Sequence, residues 1–313
     1  MRLTDLPALS VLTRRIDADR SRAVDALLES FDRQGEAARS AIDAAPRRAG
    51  AEADIDGCAR ELLAAYRELP AASLGALDGA SRLADRAFRS NREEILDGPN
   101  VPTMLRHAAM LGLEFVHRRV GSYELWKRAL VRRVADLPSA HLYELAAGTG
   151  GFSRWLATQN LPFQLTCSDR ETGYVVVGAT LAERKRLSLK FEPRNITALA
   201  HLKGVDLFFT SQAVHHLTPG LVVTMMREAA RTASRGLVLV DLLRSPANAL
   251  GTVAGIAATL PLPVLLADGL QSVRRAYTLG ELSLLARFAG VANIEAETLG
   301  PVHGIVHLEG LRA

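Results

Sequence analysis

The chain is short of cysteine, lysine and aromatic residues, and each shortage narrows what it does. Two cysteines, Cys58 and Cys167, stand among 313 residues. They are far apart and show no ligand-like spacing to each other or to histidine, which argues against a disulfide scaffold and a cysteine-based metal centre. No metal is expected from the sequence, and a reducing, cytoplasmic setting is. The first twenty residues carry charges throughout and no apolar segment of the signal-peptide kind, so no export signal is expected. Lys and Arg total 38 against 34 Asp and Glu, and only four of the basic residues are lysines. A surplus this small, spread over both halves, excludes a nucleic-acid surface. Low-complexity tracts and internal repeats are also missing.

Charge is absent from one long run. Residues 245–267 hold no charged side chain, a length that would span a bilayer. Pro261 and Pro263 interrupt it, and it falls between a predicted strand and a predicted helix, where a membrane span would break the fold. An apolar lid over a substrate, with Leu250, Val253, Ile256 and Leu260 along it, is one reading; a buried packing helix is the other.

What is present divides near residue 137. The first part reads as helical: Val24, Leu27, Leu28 and Phe31 recur at helical spacing in "SRAVDALLESF", and "CARELLAAYRELP" repeats the pattern before Pro70 ends it. Between them, residues 43–57 hold alanine, glycine and charge with Ile55 as the one large apolar side chain, which predicts a loop or hinge. From Leu137 onward strand-like runs alternate with helical ones: "HLYELA", "FQLTCSD", "LSLKFEP", "VDLFFTS" and "GLVLVDLL". This rhythm predicts an α/β fold with a parallel sheet. "ANIEAETLG" and "GIVHLEGLRA", parted only by a few residues around Pro301, are too close for a crossover helix and predict a terminal antiparallel hairpin. The expected division is a helical N-terminal domain at 1–95, connecting helices at 96–136 and the sheet domain at 137–313.

The chemistry is concentrated where "HLYELA" runs into "AGTGG". A strand feeding a glycine-rich turn and then a helix brings backbone N–H groups close to a ligand, and Gly148, Gly150 and Gly151 permit that approach. Asp169 ends the second strand, 21 residues after Gly148, where a carboxylate accepts both ribose hydroxyls of a nucleoside. Two nucleoside ligands fit such a site. A dinucleotide fingerprint would want a glycine or alanine at position 153, which is serine. Glu144, just ahead of the turn, would repel a pyrophosphate but would hold the ammonium of an amino-acid moiety.

With these residues in place, 137–313 resembles a class I S-adenosylmethionine-dependent methyltransferase. The resemblance rests on "ELAAGTGG", "CSDRE", "EPRNIT", "TSQAVHHLTP" and "GLVLVDLLRS" in register, followed by the hairpin. It implies a Rossmann-like seven-stranded sheet and S-adenosylmethionine as cofactor. Glu144 would meet the methionine amino group; Ala146, Gly148 and Gly150 would supply the cofactor loop. Asp169 and Arg170 would meet the ribose, Asn195 and Ile196 the adenine, and Ser211 and Gln212 would line the site after strand four. Ala146 stands where the family often has its first glycine, and Asn195 replaces a commoner aspartate. His216, or failing that His215, would take a proton from an acceptor hydroxyl at the carboxyl edge of the sheet; a structural role for either is the alternative. The variant with "HHL" and "DLLRS" is most similar to small-molecule methyltransferases of quinone and polyketide pathways, implying O-methylation of an apolar, aromatic or polyketide-like acceptor. Tyr123, Trp126, Arg244, Arg274 and Tyr277 are candidates for contacting it, with core packing or solvation as the competing reading. A homodimer closed through the helical N-terminal part is expected. A cofactor-binding assembly subunit without catalysis is the alternative function, and an NAD(P)-dependent oxidoreductase a distant third.

Overall fold

A computed structural model describes residues 23–44, 51–69 and 85–312. In chain order the elements are α1 (Asp32–Asp43), α2 (Ala51–Glu68), α3 (Thr103–Arg119), α4 (Ser122–Val134), β1 (Ala140–Glu144), α5 (Gly151–Leu156), β2 (Phe163–Asp169), α6 (Thr172–Arg184), β3 (Lys190–Pro193) and β4 (Leu207–Ser211). They continue with α7 (Pro219–Thr232), β5 (Leu237–Leu242), α8 (Pro246–Thr259), α9 (Pro263–Arg275), α10 (Leu279–Phe288), β6 (Val291–Leu299) and β7 (His303–Leu311). The seven strands lie in the order 3-2-1-4-5-7-6. β1 to β5 pair in parallel, β7 runs antiparallel to β5, and β6 runs antiparallel to β7. The sheet and its terminal hairpin are as the strand pattern predicts. Chain order reverses direction at β1, placing a switch point between β1 and β4, where sheets of this kind bind ligands beyond the carboxyl ends of their strands.

The central strands are apolar on both faces, as a parallel sheet covered on both sides requires. Side chains alternate between two cores. Phe208, Leu237 and Leu239 face one core, shared with Val222, Met225 and Met226 of α7 and Leu282, Leu285 and Phe288 of α10. Leu142, Phe209, Val238 and Val240 face the other, shared with Trp126 and Leu130 of α4 and Phe152 and Leu156 of α5. A smaller cluster joins Ala109 and Val116 of α3 to Ile256 of α8 and Leu265 of α9. The uncharged run therefore forms α8 and the first turn of α9, packed on α3. Among the described residues no helix is long and apolar enough to cross a membrane.

The N-terminal helices differ from the expectation in two ways. Ala51–Glu68 is one continuous helix, so the loop predicted at 43–57 is overturned from Ala51 onward, while its residues 45–50 lie outside the described residues. Its inward face is carried at the start by Ala51 and Ile55 alone, too little apolar side chain to stand out in the sequence. Secondly, Ile42, Ile55, Leu62, Leu63 and Tyr66 join the α7 and α10 core, with Leu27 and Phe31 packed against it. Residues 89–102, expected to be helical, contain only a 3-10 turn at Ile95–Asp97.

A buried charge cluster ties these helices down. Arg244, just past β5, donates to both oxygens of Glu281 at 2.8 and 2.9 Å and to Asp85 at 2.6 and 3.0 Å. Arg67 of α2 donates to the same Glu281 at 2.6 Å, and Glu281 closes a capping box with Thr278 at the start of α10. Burial alone would raise the Glu281 pKa; Arg244 and Arg67 outweigh it and hold the carboxyl below its ordinary range. Removing Arg244 would leave the buried Glu281 with Arg67 as its remaining cationic partner, at a cost of up to about 3–5 kcal/mol. Arg244→Ala is accordingly expected to lower stability by about that amount in urea unfolding followed by circular dichroism. A loss below about 1 kcal/mol, the scale of an exposed pair, would show that the cluster does not hold the helices.

Candidate functional site

The glycine turn leaves β1 in an unusual backbone conformation. Ala146, Gly148 and Gly150 have φ of 49°, 55° and 67°, all left-handed, a region that costs an alanine roughly 1–2 kcal/mol. The turn is pinned to its neighbours: the Leu145 N–H donates to the Phe209 carbonyl at 2.8 Å and that of Ala147 to the Ser168 carbonyl at 2.9 Å. α3 lies over it. A β-carbon at Gly148 would sit 2.4 Å from the terminal methyl of Met110, which would have to swing aside, and the left-handed φ itself favours glycine. Below the turn, Arg154 of α5 donates to Glu114 of α3 and, at 3.0 Å, to the Thr149 carbonyl, which clamps the covering helix onto the loop.

Two carboxylates flank the turn. Glu144 ends β1 and is only 1% exposed. It accepts from Ser153 Oγ at 2.5 Å and from Ser211 Oγ of β4 at 2.7 Å. Burial pushes its pKa from the ordinary 4.5 up to about 7, against the opposing pull of those two hydroxyls. Asp169 ends the adjacent β2 and accepts from the N–H groups of Gly148 at 2.7 Å and Glu171 at 2.9 Å; burial raises its pKa as well. Beside Ser211, Gln212 also has a left-handed backbone, φ 57°, and its Nε2 is buried without a partner in the protein. This is an orphan donor at the strand end, of the kind a ligand satisfies. Two acids and an unpartnered amide donor match what a nucleoside bearing an amino acid needs.

Further along the same edge, His215 and His216 occupy a 3-10 turn, Val214–His216. His215 is buried, with Nδ1 2.6 Å from Asp241 Oδ1. Burial opposes its charge, but Asp241 and Glu94 prevail and its pKa is raised. His216 is exposed, with Nδ1 3.1 Å from Asp97 Oδ2. Burial acts to raise the Asp97 pKa, yet hydrogen bonds from His216 and Arg275 bring it down to about 2.

The remaining candidates are placed as follows. Arg170 is exposed beside Glu171, and Ile196 packs on the α7 core. Asn195 Oδ1 accepts from the N–H and the hydroxyl of Thr197, both at 3.0 Å. Tyr123 and Trp126 are buried in an aromatic cluster with Phe152 and His117. Arg244 is engaged in the charge cluster, Arg274 donates to the Phe88 carbonyl at 2.9 Å, and the Tyr277 hydroxyl donates to the Leu217 carbonyl at 3.0 Å. Thus the structure brings Glu144, the glycine loop, Asp169, Ser211 and Gln212 together and sets the histidine pair nearby. Met110, Glu114, Arg154, Glu94 and Asp97 escaped the sequence reading. They come from the segment before β1 or from inside α5, and no local motif marks them.

Residues 142–236 match the model of a family described as methyltransferase domain. No curated protein matches the chain in sequence. Among solved structures, the plantazolicin methyltransferase BpumL in complex with SAH is similar at 10% identity and a TM-score of 0.51, covering 75% of this chain and all of that one. A SAM-dependent methyltransferase from Aquifex aeolicus is similar at 12% identity and TM-score 0.42, covering 58% and 87% of the two chains. The O-methyltransferase NcsB1 from neocarzinostatin biosynthesis is similar at 21% identity and TM-score 0.41, covering 55% of this chain and 49% of its own.

Glu144 yields a test with a definite sign. Its folded pKa lies above its unfolded value, so ionising it costs stability as pH rises from about 4.5 to about 7. A ligand ammonium that pairs with the carboxylate must first find it ionised. Affinity for S-adenosylhomocysteine is therefore expected to fall about tenfold per pH unit below pH 7, and Glu144→Gln to weaken binding and flatten the profile. Calorimetric titration between about pH 5.5 and 8 reads both. A flat wild-type profile would detach Glu144 from the ligand amine.

Proposed function

We propose that this chain, a class I S-adenosylmethionine-dependent methyltransferase by its sheet and by the domain at residues 142–236, methylates a hydroxyl of a largely apolar, aromatic or polyketide-like small molecule. The observation that carries the cofactor assignment is the buried Glu144 carboxylate at the mouth of the glycine turn, with Asp169 on the adjacent strand. In this reading Glu144 holds the ammonium of the amino-acid part. Asp169 exchanges its bond to Gly148 for the ribose hydroxyls, the turn supplies backbone donors, and Gln212 Nε2 gains the acceptor it lacks. Bound S-adenosylmethionine supplies a methyl group already activated on a sulfonium, so the protein's own share is orientation and exclusion of water.

The reading of the acceptor class is supported by α8 and the first turn of α9. Their uncharged stretch packs on α3, the helix that covers the glycine turn, with Ile256 and Leu265 buried and Leu250 exposed. An unpaired charge enclosed there would be costly. Phenolic and quinone-like compounds are therefore expected to be methylated, and hydrophilic amines and nucleic acids not; activity confined to the hydrophilic set would overturn the assignment.

The histidine pair is the part of this site assigned to the acceptor hydroxyl. A group that removes or polarises such a proton contributes roughly 10²–10⁴-fold. His216→Ala is expected to slow single turnover by at least about 100-fold while cofactor affinity stays as it was. A loss below about tenfold would leave His216 structural.

Assembly into a homodimer belongs to the same proposal. The apolar faces of α1 and α2 are already covered within the chain, so the support is instead the exposed Met104, Leu111 and Phe115 along one side of α3. Light scattering of the full chain is expected to report a dimer, which Phe115→Glu dissociates. A monomeric full chain removes the dimer.

A further inference from the structure

The turn after β4 and the irregular segment ahead of α3 bring together a ligand set that no spacing in the sequence announces. His215 and His216 are adjacent, with ring centroids 4.2 Å apart. Each has its Nδ1 against a carboxylate, Asp241 for one and Asp97 for the other, at 2.6 and 3.1 Å. A neutral ring held this way would carry its proton on Nδ1 and offer the Nε2 lone pair to a ligand. Both Nε2 atoms face one oxygen: Glu94 Oε1 lies 3.7 Å from that of His215 and 3.8 Å from that of His216. The ligand atoms of the three residues all lie within 4.8 Å of one another.

These separations are too long for N–H···O hydrogen bonds. They are close to the spacing of donors around a shared ion, since ligands about 2.0–2.2 Å from a tetrahedral centre sit roughly 3.3–3.6 Å apart. Charge points the same way. Glu94, Asp97 and Asp241 meet here, and among the described residues Arg275, 2.9 Å from Asp97, is the only arginine or lysine that pairs with any of them.

The surroundings hold this set in place. Asp268 of α9 accepts from the N–H groups of Ile95 and Leu96 at 2.7 and 3.0 Å, fixing the turn that follows Glu94. Ser272 donates to Glu94 Oε1 at 2.7 Å. Asp241 also accepts from the His215 N–H at 2.9 Å. Ligands backed by carboxylates and by a rigid turn are what metal sites use to fix imidazole orientation.

We propose that Glu94, His215 and His216 form a binding site for a divalent transition ion. Two imidazoles and a carboxylate suit zinc, manganese, iron or cobalt in preference to magnesium or calcium, and three protein ligands leave positions for water or another oxygen. An ion here would polarise an acceptor oxygen and lower its hydroxyl pKa. That use rests on the methyl-transfer reading, whereas binding of the ion does not.

The full chain, stripped with a chelator and titrated calorimetrically with Zn²⁺, Mn²⁺ and Co²⁺, is expected to bind one equivalent, with Co²⁺ developing the visible absorption of a mixed nitrogen and oxygen site. Glu94→Gln and His216→Ala should weaken binding at least about tenfold, and Asp97→Asn, which removes only an outer partner, about 10–100-fold. His141→Ala, at the start of β1, should bind like the wild type. Thermal melts identify variants that are folded, and the exposed positions 97 and 216 keep the test available if Glu94→Gln is not. No uptake by the folded wild type, or uptake unchanged in both Glu94→Gln and His216→Ala, would overturn the site. An NMR titration showing both imidazoles doubly protonated in excess Zn²⁺ would do the same. Because metal uptake is measured without turnover, its failure is separable from failure of the methyl-transfer reading.

Discussion

A carboxylate buried at the open end of the central strand is the constraint on which the rest of the site depends. Glu144 is enclosed by Ser153, Ser211 and the glycine turn, and its pKa of about 7 records how poorly the free protein solvates its charge. Such a group is a liability in a structure that has no use for it. Here it stands beside Asp169, another acid that burial disfavours in its charged form, and beside the orphan amide of Gln212. An amine, a pair of hydroxyls and an acceptor for the amide would relieve all three together, and these are the polar features of S-adenosylmethionine.

Backbone strain is distributed in the same way. Ala146 and Gln212 are left-handed without being glycine, and they sit on the two loops that emerge at the switch point. Held strain of this sort persists only where surrounding structure over-determines it. That surrounding is identifiable: the Leu145 and Ala147 amides bond to neighbouring strands, Met110 closes over Gly148, and the Arg154 to Glu114 pair fastens α3 from beneath. The covering helix is packed in turn by the uncharged α8 and by Leu265 in the first turn of α9.

How much of this is legible in the sequence depends on whether a feature is local. The central strands could be read because a sheet buried on both faces demands apolar runs such as "GLVLVDLL", and the exposed β6 because the short link around Pro301 leaves room only for a hairpin. Glu144 and Asp169 could be read because strand ends and the glycine turn fix their positions within a few residues. The start of α2 could not, because Ala51 and Ile55 supply its buried face with little apolar mass. Glu94, Asp97, Met110 and Glu114 could not either. Each reaches the site by the packing of α3 and its preceding segment against the sheet edge, and nothing in their neighbours encodes a long-range contact of that kind. Arg244 was legible as a strand-end residue near the site, but its partners Asp85, Glu281 and Ala276 come from elsewhere in the chain.

The central claim is that the switch point of this sheet holds a nucleoside through Asp169. Calorimetric titration of S-adenosylhomocysteine into the wild type and into Asp169→Ala tests it most directly. Two charge-assisted hydrogen bonds to ribose hydroxyls contribute about 1.5–3 kcal/mol each. Binding by the wild type and a loss of at least about 100-fold in the folded variant is the predicted result. Equal affinity in the two proteins would contradict it.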